Sequence, residues 1–198
     1  MTAPAGGTGE LGATLATPRR RRRSAVWVAV AAGAVLAALI VVFALAGPAN
    51  QVTASSPLVG KPAPPISGLS IMDQRAVSWS SFAGKWVLVN FAASWCVPCR
   101  AETPQLLSFQ TGHAAAGDAT VLEVEYDPAD RANLRAFLRA QHATWPAVDD
   151  SPALVSYGVG GIPESYLIDP AGTVIAKLIG GITAAEVDSL INKASNSQ

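Results

Sequence analysis

From Ala25 to Ala46 the chain runs for 22 residues without a charge, directly behind five consecutive arginines, Arg19 to Arg23. As a helix rising about 1.5 Å per residue, this run reaches roughly 33 Å, slightly more than the hydrocarbon core of a bilayer. It predicts a single membrane-spanning signal anchor. Arginines next to such a helix stay on the cytoplasmic side, so everything after Gly47 is expected outside the cytoplasm. Ala44-Leu45-Ala46 also fits an A-x-A cleavage site, but the apolar part of a signal peptide runs for only about 7 to 15 residues. The length favours an uncleaved anchor, and both readings export the rest of the chain.

The anchor accounts for much of the composition. The charge balances at 14 basic and 14 acidic residues, yet from Leu58 to Gln198 nine basic residues face thirteen acidic ones. A segment with that sign is a poor ligand for nucleic acid. Residues 1–24 read as a disordered cytoplasmic tail ending in the basic cluster, because Gly, Ala, Thr and Pro bury too little to offset the entropy of ordering. Residues 47–65, with five prolines, read as an extracytoplasmic linker. Residues 66–198 are left as one compact domain.

Within that domain, Trp86 to Phe91 is a run of β-formers, apolar except for Asn90, as a doubly buried central strand requires. A helix is expected from Cys96, with Arg100, Ala101, Glu102, Leu106 and Leu107 as helix formers and a kink at Pro104. Val121 to Tyr126 predicts a second strand. Asp127-Pro128 then reads as an N-cap with proline behind it, opening a helix that carries Leu134, Phe137 and Leu138 on one face. Ser165 to Ile168 and Thr173 to Ile179 flank the turn Asp169-Pro170-Ala171-Gly172 and predict an antiparallel hairpin. Thr183 and Glu186 form a T-x-x-E capping box ahead of a final amphipathic helix. The sum is a small α/β fold, with parallel strands first and a hairpin last.

The chain has two cysteines, Cys96 and Cys99, set between the first strand and its helix in Trp95-Cys96-Val97-Pro98-Cys99. A thiol at a helix N-terminus faces unpaired backbone N–H groups and the positive end of the helix dipole, which favour its thiolate. Cys96 is therefore the expected nucleophile. A fall of its pKa from about 8.5 to about 7 would raise the thiolate fraction at neutral pH from a few per cent to roughly half. Cys99, shielded in the first turn, would resolve the mixed disulfide, so electrons pass by thiol–disulfide exchange without a cofactor. Two other readings compete. A metal site needs about four ligands, and His113 and His142, read as solvated surface, show no ligand spacing. A purely structural disulfide of this size constrains little chain entropy.

Val89 to Pro104, with Cys-Arg-x-Glu-x-Pro continuing the Trp-Cys-x-x-Cys core, resembles the membrane-anchored thioredoxin-like proteins of the TlpA, ResA and CcmG (DsbE) group. Gly60 to Pro64 is similar to the group's opening motif, and Tyr157 to Asp169 to its loop and strand after the second helix. The resemblance implies a thioredoxin-like fold, a central mixed sheet flanked by helices, with an insertion around Ala129 to Tyr157. It implies a protein-disulfide oxidoreductase that reduces disulfides in exported proteins, apocytochrome c before haem attachment among them. Electrons would come from a CcdA- or DsbD-type membrane donor. A disulfide-forming oxidase of the DsbA kind and a copper or assembly chaperone using the same thiols stay open.

The resemblance also implies site residues. Pro163 matches the group's cis-proline, which faces the dithiol and offers backbone to a substrate strand. Glu164 matches the acidic residue behind it and is a candidate acid/base. Glu102 matches the helix carboxylate and, three residues after Cys99, shares a helical face with it, as proton exchange would require. Trp95 is expected to pack over the site and bind substrate, and Arg100 to add positive potential. Asn90 stands where thioredoxins carry a buried aspartate. An amide carries no exchangeable acid proton, which moves the acid/base role to Glu102 or Glu164.

Overall fold

The computed structural model describes residues 20–45 and 52–196, so residues 1–19 of the expected tail, the last residue of the expected anchor, Ala46, and the start of the linker, 47–51, lie outside the described residues. Two units are described separately. The first is the helix α1 (Arg20–Leu45). Its side chains are described for 26–38, and all are exposed. Among the described residues no helix is long and apolar enough to cross a membrane.

The second unit is built on a mixed sheet. In chain order its elements are β1 (Val52–Ala54), β2 (Gly68–Leu69), β3 (Ala76–Val77), β4 (Trp86–Ala92), α2 (Val97–His113), β5 (Ala119–Glu125), α3 (Arg131–Ala140), β6 (Ala147–Val148), α4 (Ser151–Tyr157), β7 (Glu164–Ile168), β8 (Val174–Ile179) and α5 (Ala184–Ser195). Six strands pair in the order β1-β8-β7-β4-β5-β6, and β2 and β3 make a separate ribbon. β4, β5 and β6 are parallel, while β7 runs antiparallel to β4 and β8 antiparallel to β7. This is the expected thioredoxin-like arrangement.

β4 is buried at every position because apolar side chains leave it on both faces. Leu88 joins Leu106 and Phe109 of α2 and Val187 and Ile191 of α5 on one side. Val87, Val89 and Phe91 join Tyr157 and Tyr166 on the other. α2 continues through Pro104 to His113. The turn behind β7 closes as read, with the Thr173 and Gly172 amides donating to Asp169 and Gly172 at φ 87°. At the last helix the Thr183 side chain accepts from the Glu186 amide and donates to the Glu186 carboxylate.

Three readings change. The stretch 52–65 is not an extended spacer: β1 pairs with β8, Gly60 and Ala63 donate backbone bonds to Val174 and Gly172, and Ala63 is buried. Pro57 and Pro62 sit between these anchoring points. Asp127 caps a short 3-10 turn, Pro128–Asp130, and α3 starts at Arg131 with no side-chain cap from Asp130, whose carboxylate accepts from Ser94 instead. The expected insertion contains a strand, β6, and a helix, α4, that periodicity does not reveal in such short segments.

His113 also departs from the surface reading. It is mostly buried at the end of α2, with one ring nitrogen 2.9 Å from Asp118 and the other 3.1 Å from Asp188 of α5. Burial opposes its charge, but the hydrogen bonds to Asp188 and Asp118 outweigh that and raise its pKa. A raised histidine contributes stability that is complete below its unfolded value of about 6.5 and lost as pH rises through the folded value. His113→Gln should therefore cost more stability at about pH 6 than at about pH 9 in denaturant unfolding. An equal cost at both would mean that the ring is neutral throughout.

Candidate active site

Cys96 is the N-cap of α2 and Pro98 lies in its first turn. The two cysteines form a disulfide, and the Cys99 amide donates to the Cys96 sulfur at 3.2 Å. A backbone N–H aimed at that sulfur is the local source of thiolate stabilisation expected from the sequence. Both cysteines are 4% exposed, so with the bond formed Cys99 is no better shielded than Cys96. They pack on Ala92 at the end of β4, with Ile162 against them. The Ile162–Pro163 peptide bond is cis, which puts Pro163 in the loop that flanks the disulfide.

Trp95 does not cover the cysteines. It is 56% exposed, edge-on to Tyr126, and its indole N–H donates to Asp127 at 3.3 Å. With Val97, 75% exposed, it forms an apolar rim beside the disulfide. Arg100 donates to the Ser94 carbonyl and lies over the Phe137 ring of α3. Asp130, which the sequence reading missed, accepts from the Ser94 amide at 2.6 Å and hydroxyl at 2.8 Å and so fixes the loop that presents Cys96.

Glu102 and Glu164 are both 3% exposed, yet they lie on opposite faces of the sheet. Glu102 accepts from the Asn90 amide at 2.7 Å and from the Ile182 backbone N–H at 3.2 Å. Burial, only partly offset by these bonds, raises its pKa from 4.5 to about 7. A carboxyl so poised can exchange a proton with a thiol near neutral pH. Asn90 donates also to the Ser165 hydroxyl at 2.9 Å, which leaves its buried Oδ1 without a partner.

Glu164 is instead ion-paired with Lys177 of β8 at 2.9 Å and accepts from the Tyr166 hydroxyl and the Gly160 amide. Gly160 belongs to the loop leading into Ile162 and Pro163, so this carboxylate anchors the cis-proline loop from behind. Its candidate acid/base role finds no support in that geometry. Lys177→Met should leave a buried carboxylate unpaired and cost about 3 kcal/mol in denaturant unfolding. Adding Glu164→Gln to that variant should recover part of the loss, and a double variant no better than the single would show that the pair does not act as one.

Two more buried carboxyls are Glu123 and Glu125 of β5. Both pKa values rise to about 8, chiefly through burial, with Glu102 adding to the shift of Glu123 and Asp130, Glu123 and Asp127 to that of Glu125. The sequence signal was the alternation Leu122-Glu123-Val124-Glu125 in a strand that must be covered on both faces.

Residues 59–177 match the profile of the AhpC/TSA family. The chain belongs to the AhpC/TSA family. Relatives of this AhpC/TSA chain include the thiol-disulfide oxidoreductase ResA of Bacillus anthracis, 28% identical over 137 residues that cover 68% of the chain and 78% of ResA. The thiol:disulfide interchange protein CycY of Rhizobium leguminosarum bv. viciae is 38% identical over 112 residues, 54% of the chain and 57% of CycY. Among solved structures, a DsbE-type thiol:disulfide interchange protein of Chlorobium tepidum superposes with a TM-score of 0.61 at 29% identity, covering 69% of the chain and 96% of that structure. This AhpC/TSA member thus falls with the ResA, CycY and DsbE proteins, the group its active-site motif resembles.

Proposed function

We propose that the chain catalyses thiol–disulfide exchange in the reducing direction on exported proteins, with apocytochrome c as a client and a CcdA- or DsbD-type membrane protein as electron donor. It is a thiol-disulfide oxidoreductase. The observation that carries this reading is the Cys96–Cys99 disulfide at the start of α2, beside a cis-proline loop and on the same helix as a buried carboxyl near neutral pKa. The uncharged run from Ala25 to Ala46 behind five arginines supports a single-pass anchor with the catalytic domain outside the cytoplasm.

The reaction begins with the reduced pair. Cys96 thiolate attacks one sulfur of the client disulfide. A Cys96–client bond forms, and the client's other sulfur leaves with the electron pair and takes a proton from water. Cys99 then gives its proton to Glu102 and attacks the Cys96 sulfur. The Cys96–Cys99 bond forms, the mixed bond breaks, and the second client sulfur leaves as a thiolate. Two electrons have moved to the client, and a dithiol donor reverses the steps to restore the reduced pair. The exposed rim of Trp95 and Val97 offers apolar contact to a client segment, and the backbone at Pro163 can pair with it.

The equilibrium potential of the Cys96/Cys99 pair, measured on the full chain in detergent against glutathione or dithiothreitol buffers, tests the direction. A reductase should lie well below about −180 mV, and a value near about −120 mV would make the chain an oxidase of the DsbA kind.

A further inference from the structure

Asn90 bonds one carboxyl, Glu102, and pairs in register with a residue that carries another, Glu123. Its amide donates to Glu102 and Ser165, using both N–H bonds, and its Oδ1 is buried without a partner. Directly across from it on the neighbouring parallel strand is Glu123, one of the residues of β5 that is 3% exposed. Glu123 Oε2 accepts from the indole N–H of Trp145 at 2.8 Å. An amide has one donating and one accepting side, so of two carboxyls placed on either side of it only one can meet N–H bonds. The other must bring its own proton.

We propose that Glu123 is a positioning residue of this site: as a carboxylic acid it donates to Oδ1 of Asn90 and so fixes the amide with its N–H side on Glu102, the base for the Cys99 thiol. The inference rests on the exchange reaction above. Trp145 fits the assignment, since an indole N–H selects the carbonyl oxygen of a neutral carboxyl and leaves the hydroxyl oxygen to face Asn90. The charge field fits it as well. The charged group that acts on Glu123 is Glu102 of α2, and Glu123 in turn raises Glu125, two residues further along β5. α3 and α5 bring Leu134, Leu138, Val187 and Ile191 to this side of the sheet. With a carboxyl for a neighbour and burial on all sides, Glu123 holds its proton to about pH 8. The two carboxyls thereby divide the work: one holds a proton, and the other is free to take one from Cys99.

Two measurements on the full chain in detergent test this. Infrared spectra of the oxidised protein at about pH 7.5 should contain protonated-carboxyl absorption with a Glu123 component that Glu123→Gln removes and Glu102→Gln leaves in place, the Glu125 component remaining in both. A spectrum in which Glu123→Gln removes nothing overturns the assignment, whether or not the protein exchanges disulfides, so it fails separately from the functional reading. The second readout is the resolution of a preformed mixed disulfide between Cys96 and a client peptide. Glu123→Gln carries an N–H to the same oxygen and should resolve within about twofold of the parent, whereas Glu123→Leu should be about tenfold slower. Attack by Cys96 in the first step should be unchanged in both. Equal slowing of the two variants, or none in Glu123→Leu, overturns the proposal. If Glu123→Leu does not fold, the infrared comparison decides alone.

Discussion

Cys96→Ala should reduce disulfide exchange to the uncatalysed background, whereas Cys99→Ala should keep the first attack and accumulate protein mixed disulfides through Cys96. The asymmetry follows from the start of α2. Cys96 is the N-cap and receives the Cys99 amide on its sulfur, so its thiolate is the stabilised one and also the better leaving group. Cys99 lies inside the helix, where its carbonyl accepts from the Thr103 hydroxyl, and Glu102 follows on the next turn. Without Cys99 nothing within reach can attack the mixed bond, and the client stays attached. Non-reducing electrophoresis and mass spectrometry of Cys99→Ala, expressed in its host, would display those adducts. Adducts that form only with Cys96→Ala would reverse the roles of the two sulfurs, equal adducts with both would remove the asymmetry, and none with either would remove the exchange mechanism altogether.

The elements that position this chemistry are legible where local pattern and burial agree. β4 is apolar and short, and its successor begins with a capping residue that is also the nucleophile, so strand, site and helix can be read in one pass. The hairpin of β7 and β8 is legible from Asp169 and Gly172, whose turn chemistry is local. Features that depend on register between distant strands are not. Glu164 looks like an active-site carboxylate until β8 is aligned against β7 and Lys177 comes to its side of the sheet. Glu123 and Glu125 alternate with apolar residues as a solvent-facing edge would, and only the helices covering β5 bury them. Trp95 follows the same logic in reverse: its neighbour Tyr126 and its acceptor Asp127 come from the end of β5, and they draw the ring off the cysteines. Asp130 reads as part of a helix start, but the Ser94 loop takes its carboxylate.

Glu102→Gln should stabilise the oxidised protein at about pH 8, by up to about 3 kcal/mol, and have little effect near pH 5. The sign comes from the direction of the shift. The Glu102 pKa is near 4.5 in the unfolded chain and about 7 in the fold, raised by burial against the hydrogen bonds of Asn90 and Ile182. Between those values the folded protein holds a proton that the unfolded chain has lost, so stability falls as pH rises and the contribution is gone once pH passes the folded value. Glutamine is neutral throughout and cannot follow that slope. Glu123 and Glu125, raised to about 8, bend the curve the same way. Denaturant unfolding of parent and variant at several pH values measures the difference, and parallel curves would mean that Glu102 does not titrate in this range. The same neutral side chain should slow resolution of the mixed disulfide by about a hundredfold, because it cannot accept the Cys99 proton. Stability gained and rate lost by one substitution, both growing as Glu102 would otherwise ionise, identify the carboxylate as a group kept charged at some cost to the fold because the second step of exchange needs a base there.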